Sequence, residues 1–115
     1  MYDQRQSVDY LNDILESIQD IRAFTKDMTY EDFAEDRKTL KAVIRCFEVI
    51  AEATKALRPD IKDRHPEIPW VEIVGMRNKL IHEYFGVDTE ILWQSIQEDI
   101  GPLESTVGVI LAEQN

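Results

Sequence analysis

The sequence predicts an all-α protein, an up-and-down bundle of about five helices. Glycine and proline occur only four times each in 115 residues, which argues against a loop-rich or all-β chain. Apolar residues recur at three- and four-residue intervals along most of the chain, as on helices with one face against a core. No segment alternates polar and apolar residues for long enough to make a strand. We expect a single domain over residues 1–115, because no linker, repeat or low-complexity tract divides the chain.

The first two helices follow from an apolar stripe and a capping signal. A helix over residues 3–26 carries apolar residues at helical spacing, among them Val8, Leu11, Leu15, Ile18 and Ile21. Thr29 and Asp32 have the spacing of a capping box, in which a threonine side chain accepts a hydrogen bond from a free backbone N–H. A short helix should therefore begin after Thr29 and run through Phe33.

A proline limits the third helix and opens the connection after it. The third helix is expected over residues 36–57. Pro59 disfavours helical backbone at Arg58, so the helix should end there. The following segment, PDIKDRHPEIP at residues 59–69, is the one long connection and has room for a helical turn.

The last two helices have clear start and stop signals. The fourth is expected over residues 69–84 and begins with a proline, whose missing N–H would have no helical partner at that position. A glycine two residues past its end supplies a stop. The fifth should be capped by Asp88 or Thr89 and be kinked or broken at Gly101-Pro102.

The net charge of −10 is unevenly distributed along the chain. No lysine or arginine follows Lys79, whereas seven acidic residues do. This asymmetry predicts a localised basic cleft and an acidic flank that could receive a basic partner. A solvated face with no role beyond solubility is the alternative. The residues of the predicted cleft are Arg37, Lys38, Lys41, Arg45, Lys55 and Arg58.

No targeting or membrane-spanning segment stands out in the sequence. The first ten residues are polar, and no apolar run approaches the length of a membrane span. A single cysteine, Cys46, cannot form an intramolecular disulfide, and its helical surroundings indicate a small buried hydrophobe. We expect a cytoplasmic protein that does not contact the membrane.

The two histidines stand in no familiar metal-binding motif. Neither follows a glutamate at the three-residue interval of di-iron bundles, and no second histidine follows His82-Glu83 as in zinc proteases. A glycine-rich phosphate loop is missing, and one cysteine cannot build a zinc cluster. We therefore predict no metal and no cofactor, and expect His65 to be an exposed surface residue.

The fourth helix carries the densest set of functional side chains, which are Arg77, Asn78, His82 and Tyr84. Histidine can exchange a proton near neutral pH, and arginine can hold two phosphate oxygens at once. A purely structural role is also compatible with these residues, since the arginine and asparagine could face solvent while the helix dipole favours a histidine cation.

The spacing of these residues resembles the motif of the HEPN superfamily, in which an arginine and a polar residue precede a histidine. Four residues separate Arg77 from His82, and Tyr84, two past the histidine, is typical of the HepT-like branch. Three flanking blocks are also similar to that branch, so the resemblance covers most of the chain. They are FEVIAEATKAL at 47–57, IPWVEIVGMRN at 68–78 and EYFGVD at 83–88.

This resemblance implies metal-independent RNA cleavage by attack of a 2′-hydroxyl, at a cleft where the two copies of a homodimer meet. Arg77, Asn78 and His82 would be the catalytic residues. The resemblance further implies the toxin of a type VII toxin–antitoxin system. A minimal-nucleotidyltransferase antitoxin would neutralise it by transferring AMP from ATP to Tyr84.

Two other functions stay open on the sequence alone. One is a non-catalytic HEPN module that scaffolds a nucleotidyltransferase or binds nucleotide, which the strong acidity favours because an acidic protein repels RNA. The other is a plain helical dimerisation domain, which leaves the motif on the fourth helix unexplained.

Overall fold

The computed structural model describes residues 6–82 and 88–114, with the side chains of 6–76 and 88–114. This part of the chain is helical and contains no strand, which confirms the predicted all-α class. Its helices are α1 (Ser7–Thr25), α2 (Tyr30–Glu35), α3 (Arg37–Ala56), α4 (Pro59–Asp63), α5 (Trp70–His82), α6 (Thr89–Glu98) and α7 (Ile100–Glu113).

The predicted number of about five helices is wrong, since the described residues form seven. One addition is α4, which begins at Pro59 and follows the extended backbone that a proline requires of its predecessor. The other arises because the predicted fifth helix is divided at Asp99 into α6 and α7. The break lies just before the predicted Gly101-Pro102, because the N–H missing at Pro102 is harmless only in the first turn of a helix.

Local capping signals set several helix ends where the sequence predicts them. Thr29 and Asp32 form a reciprocal capping box at α2, with 3.1 Å between backbone N and side-chain O in both directions. Asp88, one of the two predicted caps, accepts hydrogen bonds from the backbone N–H groups two and three residues further on. The predicted start of the first helix at residue 3 and the predicted end of the fourth at Tyr84 lie outside the described residues.

The core is centred on α3, which packs against α1 on one side and α5 on the other. α7 packs on α1, and α2 lies against both α3 and α6. Because α3 contacts α5 directly, it supports the helix that carries the predicted functional motif. Of the predicted stripe of α1, Leu11, Ile18 and Ile21 are fully buried, together with neighbouring Ile14. Leu15 is partly buried, and Val8 is exposed, so the prediction is wrong for Val8.

Candidate functional site

Arg77, Asn78 and His82 lie in the last two turns of α5, which is an unbroken helix. The structure describes the backbone of this helix through His82 and its side chains through Met76. Tyr84 lies outside the described residues. The site can therefore be described by the backbone of α5, by the residues that pack against this helix and by the neighbouring surface of α3.

The first half of α5 is anchored to the connection that precedes it. The indole Nε1 of Trp70 donates hydrogen bonds to the carbonyl oxygens of Lys62 and His65, at 3.1 and 2.9 Å. Ile73 and Met76 pack against the core from the inner side of the same helix. The predicted motif follows directly after Met76, so it starts from a firmly held element rather than from a loop.

The chain direction of α5 is opposite to that of α3. Val71, at the start of α5, lines an open groove together with Lys55, at the end of α3. Met76 lines a pocket together with Phe47, from the middle of α3. The last turns of α5 therefore continue toward the N-terminal half of α3.

That half of α3 carries exposed basic side chains. Lys38, Lys41 and Arg45 follow one another at three- and four-residue spacing, so they share one face of the helix. Arg45 has an acidic neighbour, with its Nη1 3.9 Å from Oε1 of Glu52. On a helix of 100° per residue, this basic face lies on the opposite side of α3 from Phe47 and Ile50, which face α5. The basic side chains therefore form a solvent-facing strip on α3 rather than a lining of α5.

The outer face of α5 is apolar in its first half and points to solvent. Val71 has 82% of its surface exposed, and Gly75, one turn on, is exposed as well. A Cβ added at Gly75 would meet no described atom within 4 Å. At 100° per residue, helix positions 71, 75, 78 and 82 fall within about 60° of one another. The outer face of α5 thus joins Val71 and Gly75 to the backbone positions of Asn78 and His82.

Arg77 lies on a different side of the helix from this face. Its Cα position is about 140° around the axis from His82 and roughly 7.5 Å along it. Because α5 is unbroken through His82, no distortion of its described backbone brings the two positions together. For Arg77 and His82 to act on the same phosphate, the arginine side chain must extend around the helix, or the two residues must come from two copies of α5.

His65 is not the exposed histidine that the sequence predicts. Its ring is largely buried between two carboxylates, with Nδ1 3.3 Å from Oε2 of Glu67 and Nε2 3.2 Å from Oε1 of Glu113. Glu113 ends α7, 48 residues further along the chain, so no local sequence pattern could reveal the contact. His65 ties the connection before α5 to the last helix, which is a structural role.

Among the described side chains, no group of three or more His, Cys, Asp or Glu residues is arranged to hold a metal ion. None of the described helices is both long and apolar enough to cross a membrane.

Cys46 is buried as predicted, and we expect it to be unreactive in the native protein. Burial raises the pKa of its thiol to about 11, with a smaller contribution from Asp20 that Arg45 opposes. At pH 8 only about one thiol in a thousand is the nucleophilic thiolate. Iodoacetamide at pH 8 should leave the native mass unchanged and add one adduct after unfolding in guanidinium, with Cys46→Ser as the blank. Rapid stoichiometric labelling of the native protein would contradict the assigned environment.

The fold and the motif together define a small helical domain of the HEPN class, and comparison with known proteins identifies the family. The family described as ribonuclease HepT-like matches residues 14–110, which include α3, α5 and the motif. The chain belongs to the HepT-like ribonuclease family. This confirms the resemblance seen in the sequence.

Related proteins match along nearly the whole chain. One is a protein of Thermococcus cleftensis named "Probable ribonuclease HepT", which is 52% identical over 88% of this chain and 92% of its own length. Two proteins of Methanocaldococcus jannaschii, both provisionally named RNases, are 42% and 44% identical. They match 88% and 90% of this chain and 93% and 89% of their own lengths. No solved structure matches the chain.

Proposed function

We propose that this chain is a metal-independent endoribonuclease and the toxin of a type VII HEPN toxin–antitoxin system. The observation that carries the proposal is the Arg77-Asn78-x-x-x-His82 motif on an unbroken, well-anchored helix in a member of the HepT-like family. The names of its relatives point to the same class of activity, since they are named as ribonucleases.

The motif suits cleavage by the RNA's own 2′-hydroxyl. His82 takes the proton of the 2′-hydroxyl, or gives one to the leaving 5′-oxygen, because imidazole exchanges protons near neutral pH. Arg77 holds two phosphate oxygens and stabilises the charge that develops on phosphorus. Asn78, one turn before His82, bonds the substrate or fixes the imidazole tautomer. The products are a 2′,3′-cyclic phosphate and a 5′-hydroxyl.

A homodimer completes this site. In-line cleavage needs both a base and an acid, and each chain supplies one histidine in the motif. A two-fold axis beside the outer face of α5 brings two copies of His82 into one cleft. Exposed Val71 and the open space at Gly75 favour close approach of a second helix on this face. The dimer also allows the arginine of one chain to act beside the histidine of the other.

The experiment that tests the activity is an RNA cleavage assay with the purified protein. Cleavage should persist in EDTA, and the 3′ ends should carry 2′,3′-cyclic phosphate, detected by mass spectrometry. Activity that disappears with EDTA and returns with magnesium would contradict the mechanism. An active fraction that separates from the protein on a second column would instead reveal a contaminating nuclease.

Tyr84 is the proposed point of control by the antitoxin. On an ideal helix Tyr84 would lie within about 20° of Arg77, so a phosphodiester attached there would compete with the RNA phosphate. Co-expression with a minimal nucleotidyltransferase encoded beside this chain should add one or more AMP units to the intact mass, mapped to the peptide that contains Tyr84. Tyr84→Phe should escape modification and resist neutralisation. An unchanged mass, or AMP on Tyr30 instead, would reject this control.

A non-catalytic HEPN module that scaffolds a nucleotidyltransferase or binds nucleotide is the second candidate. The net charge of −10 favours it, because long-range repulsion weakens the binding of RNA. The two candidates differ in the assay above. A scaffold binds its nucleotidyltransferase partner with unchanged affinity when His82 is replaced, and the wild-type protein leaves RNA intact.

A further inference from the structure

An apolar pocket lies between the first half of α5 and the junction of α6 with α7. Its volume is about 190 Å³, and it is on the opposite side of α5 from the outer face. A cavity of about 150 Å³ is enough to bind benzene, so this pocket has room for one phenyl ring or branched aliphatic side chain. Its walls include Phe47, Ile50, Ile73, Ile100 and Leu103.

The rim of this pocket is acidic. Its four carboxylates belong to exposed residues from three separate parts of the chain, which are Glu67, Glu72, Glu98 and Asp99. No lysine or arginine is among the described residues that line the pocket. Glu67 contacts the ring of His65, and Glu98 accepts a hydrogen bond from the amide of Gln94. Among the described side chains, no arginine or lysine forms an ion pair with any of the four carboxylates. We name this feature the acidic-rimmed pocket.

We infer that the acidic-rimmed pocket is a docking site for a segment of a partner protein that carries one bulky apolar side chain flanked by lysine or arginine. The size of the pocket selects the apolar side chain, and burying it supplies most of the affinity. The charge of the rim selects the basic flanks and steers their approach. The same carboxylates repel the phosphates of nucleic acid, so RNA does not fit this site.

The inference does not depend on the proposed ribonuclease activity. The pocket faces away from the positions of Asn78 and His82, and binding can be measured without any RNA. The two are nevertheless connected physically, because Ile73 and Met76 line the pocket and directly precede the motif on α5. An occupant would thus contact the helix that carries the site.

The test uses a fluorescein-labelled peptide, Arg-Lys-Phe-Arg-Lys, with blocked termini, and measures fluorescence anisotropy at low salt. The peptide with alanine in place of phenylalanine should bind on the order of tenfold more weakly, because it cannot fill the apolar pocket. Methyl NMR signals of Ile73, Ile100 and Leu103 should shift on titration with the phenylalanine peptide. Spermidine at the same concentration of positive charge should fail to displace the phenylalanine peptide.

Matched variants separate the rim from the general charge of the protein. Glu72→Gln with Glu98→Gln should weaken binding about fivefold, as expected for the loss of two exposed ion pairs. Glu16→Gln with Glu35→Gln changes the net charge equally at exposed sites on α1 and α2, away from the pocket, and should leave binding unchanged.

Several outcomes would overturn the inference. They are no binding of the phenylalanine peptide at millimolar concentration, equal weakening by both pairs of variants, or methyl shifts confined to another surface. A change of oligomeric state in the Glu72→Gln, Glu98→Gln variant would make a second copy of this chain the occupant. Displacement by spermidine would mean that the rim binds small polycations instead.

Discussion

Replacing His82 by alanine should lower the rate of RNA cleavage by at least about a hundredfold, because general acid–base catalysis contributes roughly 10²–10⁴-fold. The circular dichroism spectrum should not change, since alanine is the best helix former and position 82 is the last residue of α5. His65→Ala is the matched control. His65 links the connection before α5 to α7 and has no part in the proposed site. Cleavage should therefore survive its replacement. Equal losses in the two variants would remove His82 from the mechanism.

The arginine of the motif should be as sensitive as the histidine, for a different reason. Loss of one group that stabilises transition-state charge costs about 10²–10³-fold, so Arg77→Ala should be nearly inactive. Arg77→Lys should recover little of this, because an ammonium group cannot present the planar two-pronged donor that phosphate accepts. Full activity of the lysine variant would mean that Arg77 contributes only its positive charge.

Mixed dimers can show whether the two histidines of a dimer act together. Wild-type and His82→Ala chains are unfolded, mixed in varied ratios and refolded, so that they pair at random. If one cleft needs both histidines, activity should fall with the square of the wild-type fraction. A linear fall would mean that each chain cleaves on its own, and the shared cleft would have to be abandoned.

Local chemistry explains why most helix ends could be predicted from the sequence. The Thr29 cap, the Asp88 cap and the stop before Pro59 each depend on residues within three positions of one another. The exact position of the break between α6 and α7 was harder to predict from the sequence. Gly101-Pro102 signals a break, but Pro102 requires only that a helix begin one to three residues earlier, so the break at Asp99 is one of several positions that the signal allows.

Contacts between distant parts of the chain explain the features that the sequence did not reveal. His65 reads as a surface residue beside Arg64 and Pro66, yet its partner Glu113 is on the last helix. The acidic-rimmed pocket likewise combines residues of α3, α5 and α7 that no spacing rule connects. The function of the motif on α5 was inferred only through its resemblance to a family, because an arginine, an asparagine and a histidine on one helix are otherwise unremarkable.

The outer face of α5 joins the proposed activity to assembly, and Val71 is the residue that tests the connection. In solution the wild-type protein should have twice the chain mass of 13.4 kDa by light scattering. Val71→Asp should give the mass of a single chain, because a two-fold interface would bury both introduced charges without a partner. The fold should survive, since the side chain is 82% exposed and an acidic residue in the first turn of a helix is favoured by its dipole.

Val109→Asp is the matched control, because it introduces the same charge at a valine of α7 that is 53% exposed. This variant should remain a dimer and cleave RNA at the wild-type rate. Val71→Asp should lose cleavage together with its dimeric mass, and raising the protein concentration should restore both in parallel. If Val71→Asp stays dimeric, the axis lies elsewhere, and if it becomes monomeric but remains active, one histidine is sufficient for the chemistry.

A substitution at Gly75 distinguishes an effect on the dimer interface from an effect on the stability of the fold more clearly than Val71→Asp does. A side chain added there meets no described atom within 4 Å, and replacing a helical glycine by leucine should stabilise the helix by roughly 0.5–1 kcal/mol. Gly75→Leu should therefore unfold at a higher temperature than the monomeric Val71→Asp variant, while keeping a second α5 from approaching closely. A variant that is more stable, monomeric and inactive cannot be explained by damage to the fold. A Gly75→Leu protein that dimerises and cleaves RNA normally would show that the outer face of α5 is free of contacts in the active assembly.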